Sequence, residues 1–289
     1  MSLVQKKIRK NKGALGLLLP TISWLMIFFV IPILFILIVS FATRGEIGEV
    51  IYTFSFENYK RLFDLRYFEI FYKSIFISLS TTLFCLFFGY PFASFAAKAS
   101  DRFRPILMLL IILPFWTNSL IRTYAWIILL RTEGVINSIL LGIGLIREPL
   151  KLLYTNASVL VGMVYMMFPF MVLPLYTSIE KMEYSLIEAS LDLGASPVKT
   201  FMKIQLPLTM PGIISGCLLV FVPTLGFFFI PDLMGGSKIV LMSNLIKNQF
   251  LTARDWPFGS SISVVLMIIM IILIAINFKL GGSEKGSVM

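Results

Sequence analysis

The sequence predicts an all-α, polytopic membrane protein with six transmembrane helices. Hydrophobic residues make up 58% of the 289 residues, and the chain contains 27 phenylalanines, an apolar share well above that of soluble domains. Six apolar segments contain no Asp or Glu, and each is close to or above the ~20 residues that a helix needs to cross a bilayer. These spans are predicted at about 14–41, 74–97, 106–130, 158–176, 212–230 and 261–278.

Charge and rare residues exclude several function classes. The formal net charge is +10, which basic residues at span ends and anionic membrane lipid explain, so we expect lipid contacts and no nucleic-acid partner. Cys85 and Cys217 lie inside apolar segments and are predicted to be packing residues. With no histidine and no Gly-Lys dipeptide, the chain lacks the commonest general base and a Walker A loop. We expect no cofactor, no metal site and no catalytic residue, which makes a membrane enzyme the least favoured class.

The N-terminal residues predict the orientation. Residues 1–13 carry five Lys or Arg and no acid, and are expected to be a cytoplasmic tail. The apolar run 14–41 is too long for a signal peptide and lacks a small-residue cleavage site, so it is predicted to be a retained span, either tilted or kinked at Pro32. Six spans then place both termini in the cytoplasm, with a membrane domain at 14–280 and a second tail at 281–289.

The segment after the first span mixes aromatic residues with charges of both signs. Its part FSFENYKRLFDLRYFEIFYKSIF, residues 54–76, is typical of an amphipathic helix at the outer membrane interface.

The third predicted span is unusual for a helix that faces lipid. Asn118 and Arg122 lie among the aromatic residues Trp116, Tyr124 and Trp126, at positions that should be in hydrocarbon. Polar groups at such depth normally face a bundle interior or an aqueous path, which indicates a pathway. The alternative is that the aromatic residues form an interfacial belt and the Arg122 side chain extends to the membrane surface.

A polar segment, 180–211, separates the fourth and fifth spans. It is predicted to form a helix that ends at Gly194, because glycine suits the positive φ of a helix C-cap. Ser196 and Pro197 then predict an N-cap and the first position of a second helix, which runs to about Gln205 and stops before Pro207. By composition alone, this loop could equally be an amphipathic hairpin on the lipid surface.

The spacing within this segment resembles the EAA loop of ATP-binding-cassette (ABC) importer permeases, whose pattern is E-A-A, three residues, G, nine residues, I-x-L-P. The matching positions are Glu188, Ala189, Gly194, Ile204, Leu206 and Pro207, with Ser190 in place of the third residue, alanine. The resemblance implies the type I importer permease fold in a bacterial cytoplasmic membrane, with this loop coupled to a cytoplasmic ABC ATPase dimer. It also implies a second permease subunit, a homologue rather than a copy, and an extracytoplasmic substrate-binding protein.

Three further stretches resemble permeases of polyamine importers: LPFWTNSLIRTYAW, FFFIPDLMGGSK and LTARDWPFGSSIS. Polyamines are polycations, which bind aromatic faces with roughly 0.5–2 kcal/mol per contact. Since the spans lack acids, the outer mouth is expected to supply them, from Asp232, Glu133 and Asp255. The candidate pathway residues are Trp116, Tyr124, Trp126, Tyr165, Phe227 and Asp232.

Two alternatives remain open at the level of the sequence. An importer of the same architecture could carry an anion or a peptide-like solute, with Arg122 as the recognition residue. The chain could also be a membrane scaffold subunit without transport function, whose 180–211 loop recruits a cytoplasmic partner.

Overall fold

Helices form most of the chain that the computed structural model describes, which is residues 18–282, with side chains as far as residue 276. The predicted tail 1–13 lies outside the described residues, as does all but the start of the tail 281–289. The α-helices of the described part are α1 (Leu18–Ser40), α2 (Glu57–Arg61), α3 (Leu65–Lys98), α4 (Arg104–Trp116), α5 (Ser119–Leu130), α6 (Val135–Gly142), α7 (Asn156–Glu180), α8 (Tyr184–Asp192), α9 (Pro197–Leu208), α10 (Met210–Gly226), α11 (Met242–Leu251) and α12 (Trp256–Gly282). A π turn at Pro231–Gly235 and a 3₁₀ turn at Gly236–Lys238 lie between α10 and α11.

Local deviations from α geometry occur where proline removes a backbone donor. In α1 a π turn at Met26–Val30 directly precedes the segment with Pro32, the residue at which a kink was predicted. After α1, a two-stranded antiparallel pair joins β1 (Thr43–Arg44) to β2 (Val50–Ile51). The strands comprise two residues each, so the fold remains helical.

By residue contacts the chain divides into two compact units. Among the described residues, the first consists of 18–64 together with 246–268. Within it, Asn58 is buried and donates from Nδ2 to the carbonyls of Ser40 and Ala42, at 3.2 and 2.8 Å. Arg61 pairs with the buried Asp255 at 2.9 Å and lies 4.0 Å from the centre of the Phe258 ring. These contacts hold α2 and the start of α12 in one unit.

Among the described residues, the second unit consists of 65–245 and 269–282, and its core is formed by α3, α7 and α10. Methionines of α7 fill this core, among them Met163, Met167 and Met171, which are almost fully buried. The thioether side chain is unbranched and fits irregular gaps between helices. Glycines allow the closest approaches: a Cβ on Gly216 of α10 would lie 2.8 Å from the Met171 sulfur.

The observed helices differ from the predicted spans mainly at their ends. Helix α3 begins at Leu65 rather than 74, because the helix expected at the outer interface continues into the second span after a break at residues 62–64. Helix α7 extends the fourth predicted span at both ends, and α10 ends at Gly226 instead of 230. Five helical segments are long and apolar enough to cross a membrane, or six if the bent pair α9 and α10 counts as one.

The third predicted span, 106–130, is wrong as a single helix. Helix α4 tightens into a 3₁₀ turn at Leu113–Trp116 and ends at Thr117, whose backbone is extended. Asn118 then caps α5 by accepting a hydrogen bond from the Leu120 amide at 2.8 Å. Helix α4 has 13 residues and is about 20 Å long, too short to cross ~30 Å of hydrocarbon alone. The candidate crossing in this region is Ser119–Gly142, which comprises α5 and α6 and follows the break.

Candidate functional site

The segment 180–211 forms a helical hairpin from α8 and α9, which we call the coupling hairpin. Its turn follows a Schellman motif: the amide of Ala195 donates to the Ser190 carbonyl at 3.1 Å, and that of Gly194 to the Leu191 carbonyl at 2.9 Å. Gly194 has φ +81°, as the sequence predicted for a C-cap glycine. A Cβ at this position would meet nothing within 4 Å, so backbone conformation alone requires glycine here.

The second helix of the hairpin starts as predicted but does not stop before Pro207. Ser196 caps it, accepting from the Lys199 amide at 3.4 Å. A π turn at Phe201–Gln205 precedes Pro207, and this widened turn accommodates a residue without an N–H, so α9 continues to Leu208. The 67° bend into α10 follows at Thr209.

A buried hydrogen bond joins the two helices of the coupling hairpin. Ser190 Oγ lies 2.8 Å from Thr200 Oγ1, and both residues are buried. Ser190 occupies the third position of the EAA pattern, where the sequence departs from alanine. The serine keeps the close helix contact that a small residue allows and adds a polar partner for Thr200.

The remaining motif residues divide between the protein interior and the surface. Ile204 and Leu206 are half-buried, and Leu206 packs against the core of the second unit. Glu188, Ala189 and Pro207 are exposed.

The turn of the coupling hairpin also presents large apolar side chains. Leu193 is 89% exposed, Val198 is 72% exposed, and Met202 is exposed as well. Several large exposed apolar side chains within one short hairpin, which also carries the exposed Glu188, are typical of a surface that another protein covers.

The base of the coupling hairpin is held by residues that the sequence analysis did not identify. Arg104, at the start of α4, pairs with Glu180 at 3.0 Å and donates to the Ala97 carbonyl at 3.3 Å. Tyr176 donates to the same Glu180 oxygen at 2.7 Å. The signal that could have identified the pair was an acid and a base at the same end of two neighbouring spans. The ends of α3, α4 and α7 are thus joined where the hairpin begins.

Tyr184 lies next to this cluster, at the start of α8. Its hydroxyl is buried and has no hydrogen-bond partner within the described residues. Burial raises the pKa of Tyr184 above its ordinary value, and the neighbouring Arg104 guanidinium partly offsets the effect.

Among the candidate pathway residues, the structure brings Trp126 and Tyr165 together, with ring centroids 5.6 Å apart. The Arg122 guanidinium lies 5.1 Å from the centre of the Phe115 ring and 6.0 Å from that of Tyr165. Phe115, Arg122 and Tyr165 line an apolar cavity of about 460 Å³, whereas Trp126 does not. Within the described residues no carboxylate pairs with Arg122, and its buried Nε has no hydrogen-bond partner.

The other candidate pathway residues lie apart from this pair. Trp116 is 79% exposed and Tyr124 is 54% exposed, on either side of the break between α4 and α5. Phe227 packs against Phe229, with ring centroids 5.0 Å apart. Asp232 is half-buried and accepts from Asn244 Nδ2 at 2.6 Å.

Asp255 was expected to be an acid at the outer mouth of the pathway, but its carboxylate is used in contacts that stabilise the fold. Besides its pair with Arg61, its second carboxylate oxygen accepts from the Phe258 amide at 3.2 Å, capping α12. A buried, paired carboxylate of this kind does not serve as an open cation ligand.

Comparisons with known proteins agree with this architecture. A profile of the family described as "Binding-protein-dependent transport system inner membrane component" matches residues 89–280. The spermidine/putrescine transport system permease protein PotB of Escherichia coli (strain K12) is 48% identical over 258 residues, covering 89% of this chain and 94% of that protein. The protein of the same name from Haemophilus influenzae is 42% identical over 279 residues and covers 96% of both chains.

A solved structure shares the fold. A chain of the bacterial alginate ABC transporter, in complex with an alginate pentasaccharide-bound periplasmic protein, superposes with a TM-score of 0.75 at 16% identity, covering 99% of both chains. The expected importer permease fold is thereby confirmed. The family profile matches about two thirds of this chain, and the PotB proteins are 42–48% identical to it. The chain therefore belongs to the inner-membrane permease components of binding-protein-dependent ABC importers.

Proposed function

We propose that this chain is the permease subunit of an ATP-driven importer of polyamines, with both termini on the cytoplasmic side of a bacterial inner membrane. It forms the pathway with a second, homologous permease subunit. A cytoplasmic ATPase dimer supplies the energy, and an extracytoplasmic binding protein delivers the substrate. The observation that carries the proposal is the coupling hairpin, whose spacing matches the EAA loop and which exposes three large apolar side chains.

The coupling hairpin has the properties of a docking element. Covering Leu193, Val198 and Met202 with a partner would contribute roughly 1.5–3 kcal/mol for each fully buried side chain. The Schellman turn and the bond between Ser190 and Thr200 make the hairpin a stiff unit. When ATP binding closes the ATPase pair, movement at the turn is passed to α7 and α10 with little loss to bending.

The polyamine cargo is supported by the spermidine and putrescine named for PotB proteins that are 42–48% identical. The aromatic residues Trp116, Tyr124, Trp126 and Tyr165 offer cation-binding faces. No acid lies in the predicted spans, so the pathway binds the cation weakly, and the binding protein supplies most of the selectivity.

Arg122 favours one alternative cargo. Its guanidinium occupies the Tyr165 face that a polyamine would use, and it has no carboxylate partner within the described residues. A cation in this position suits an anionic or peptide-like solute, provided that the cavity lies on the pathway.

The test is uptake of radiolabelled spermidine into proteoliposomes that hold the complete importer and its binding protein. We compare the native chain with Glu188→Ala and Gly194→Pro, and with Glu148→Ala as a control at an exposed acid outside the hairpin. Native uptake should require ATP, the two hairpin variants should lose most of it, and the control should retain it.

The outcomes separate coupling from cargo. Normal uptake by both hairpin variants would contradict the coupling role. If spermidine does not move but an anionic solute does, and the hairpin variants abolish that flux, the coupling role holds and Arg122 becomes the recognition residue.

A further inference from the structure

The apolar cavity of about 460 Å³ lies near the middle of a candidate membrane span. Val164, Tyr165, Phe168 and Pro169 line it from α7, and they lie near the centre of this helix. Helix α7 has 25 residues and is therefore about 37 Å long. The other lining residues come from α3, α4 and α5, and among the described lining residues Arg122 is the one with a charge. We call it the midspan cavity.

The break between α4 and α5 lies beside the midspan cavity. Thr117, at the break, has an extended backbone. The cavity is lined by Pro114 and Phe115, just before the break, and by Arg122, just after it. Within hydrocarbon, a non-helical backbone is tolerated where protein surrounds it or where it lines a water-filled cavity. This position is the one expected for part of a transport pathway.

Two aromatic rings of the cavity have the arrangement of a cation site, and Arg122 occupies it. Its guanidinium lies 5.1 Å from the centre of the Phe115 ring and 6.0 Å from that of Tyr165, which are distances at which a ring face attracts a cation. A further ring supports each of the two. Phe170 packs against Phe115 with ring centroids 5.4 Å apart, and Trp126 packs against Tyr165 at 5.6 Å. The rings are therefore positioned by their packing and do not depend on the guanidinium.

Two prolines add hydrogen-bond acceptors to the same cavity. Proline has no amide N–H, so the carbonyl four residues before it loses its helical donor. Pro114 has this effect on the carbonyl of Leu110, and Pro169 has it on that of Tyr165. All four residues line the midspan cavity. Aromatic faces attract an ammonium group, and carbonyl oxygens accept its hydrogen bonds.

The attachment of Arg122 to this site is weak. Among residues 18–276 its guanidinium makes no ion pair and no hydrogen bond, and its buried Nε has no partner. Removing a guanidinium from water without a carboxylate partner is costly, and the two ring contacts offset this cost in part. The side chain is long and flexible, so another cation can replace it by taking over these ring contacts.

We propose that Arg122 is a resident cation, which occupies a polyamine site in the midspan cavity while that site is empty and is displaced by an ammonium group of the substrate. The inference rests on the proposed function, because it assumes that the cargo is a polyamine. Two cations cannot share these rings, since like charges about 5 Å apart repel each other strongly where water is excluded. Competition by Arg122 thus keeps the affinity of the site low, which favours release of the substrate.

The test is equilibrium binding of radiolabelled spermidine to the complete importer in nanodiscs of phosphatidylcholine. The substrate-binding protein is left out, so that it does not compete for the substrate. Arg122→Gln removes the resident charge, whereas Arg122→Lys keeps it. The matched control is Arg131→Gln, which removes the same charge from the exposed C-cap of the same helix, outside the cavity.

We expect Arg122→Gln to bind spermidine at least tenfold more tightly than the native chain. Arg122→Lys should stay within about threefold of the native chain, and Arg131→Gln within twofold. Tyr165→Leu, added to Arg122→Gln, should remove most of the gain, because the substrate would use the ring face that the guanidinium has left. ATPase activity and the thermal midpoint verify the assembly of each complex.

Spermidine binding by Arg122→Gln that is equal to or weaker than native binding would overturn the proposal. A gain that persists with Tyr165→Leu would also overturn it, because the effect would then come from net charge and not from this site.

The cargo is tested separately, by ATP-dependent uptake with the binding protein present. If the native importer takes up spermidine but Arg122→Gln does not bind it more tightly, this inference alone fails. If the native importer takes up an anionic solute instead, and Arg122→Gln abolishes that uptake, Arg122 recognises the cargo and both proposals fail.

Discussion

Two glycines, one at the turn of the coupling hairpin and one in the helix below it, are required for opposite reasons. Gly194 has φ +81° and open space around the position of a Cβ. Gly212, near the start of α10, has no such φ, but a Cβ there would contact the Ser178 side chain and lie 2.7 Å from the Pro174 carbonyl oxygen. The turn is thus defined by backbone conformation, and the stem by close packing of α7 and α10.

This difference predicts how each region responds to substitution. A residue that tolerates positive φ should restore the turn, since nothing surrounds it. No larger residue should restore the stem, because the obstruction is backbone and cannot rotate away. The contact between α7 and α10 at Gly212 resists deformation, and the turn at Gly194 is fixed by its own backbone. Together they would allow a movement of the coupling hairpin to be transmitted to α7 and α10.

The largest effect is expected at the stem. Gly212→Leu should cost about 3 kcal/mol or more, since an overpacked contact against backbone must displace a whole helix. The yield of monodisperse protein in detergent and its thermal midpoint measure this loss. Gly226→Leu, in the same helix with nothing within 4 Å of a Cβ, is the matched control and should leave both values unchanged. Equal losses in the two variants would show that the close packing around Gly212 does not decide the effect.

A smaller and local effect is expected at the turn. Gly194→Ala should cost about 1–2 kcal/mol through the left-handed conformation alone. Hydrogen exchange of the Gly194 and Ala195 amides, the donors of the Schellman motif, should accelerate by about tenfold, and the thermal midpoint should fall by a few degrees. Gly194→Asn should exchange more slowly than the alanine variant, because asparagine adopts positive φ more readily. If alanine and asparagine behave alike, φ is not what requires the glycine.

The bond between the hairpin helices should give a third, still smaller effect. Ser190→Ala restores the alanine of the EAA pattern but leaves the buried Thr200 hydroxyl without its partner, at a cost of about 1 kcal/mol. Thr200→Val should cost a similar amount. The double variant should cost less than the sum, and a double-mutant cycle on thermal or denaturant unfolding measures the difference. Strict additivity would mean that the two hydroxyls are stabilised independently.

The contrast between local and long-range determinants also explains what the sequence could predict. The hairpin turn was predictable because Gly194 and Pro197 act through their own backbone and the Ser196 side chain caps an amide only three residues away. The break at Thr117 was missed because the flanking residues are apolar enough to suggest one continuous helix. The structural role of Asp255 depends on Arg61, 194 residues away in the chain, and no local pattern shows that pairing. The candidate pathway residues remain predictions, because which side chains face a pathway also depends on contacts between distant parts of the chain.

The smallest predicted effect is a gain, at Tyr184 where the stem meets the hairpin. Tyr184→Phe removes a buried hydroxyl that has no partner in the described residues, and should stabilise the protein by about 1 kcal/mol or less. Burial raises the pKa of Tyr184 above its ordinary value of 10.0, so the folded protein keeps a proton that the unfolded chain releases. The protonated tyrosine makes its full contribution to the free energy of unfolding below pH ~10. This contribution is lost as the pH rises through the pKa of the folded state. The phenylalanine variant has no such loss, so its advantage in thermal midpoint should widen from pH 7 to about pH 11. A constant difference across this range would mean that the hydroxyl is as well solvated in the folded protein as in the unfolded chain.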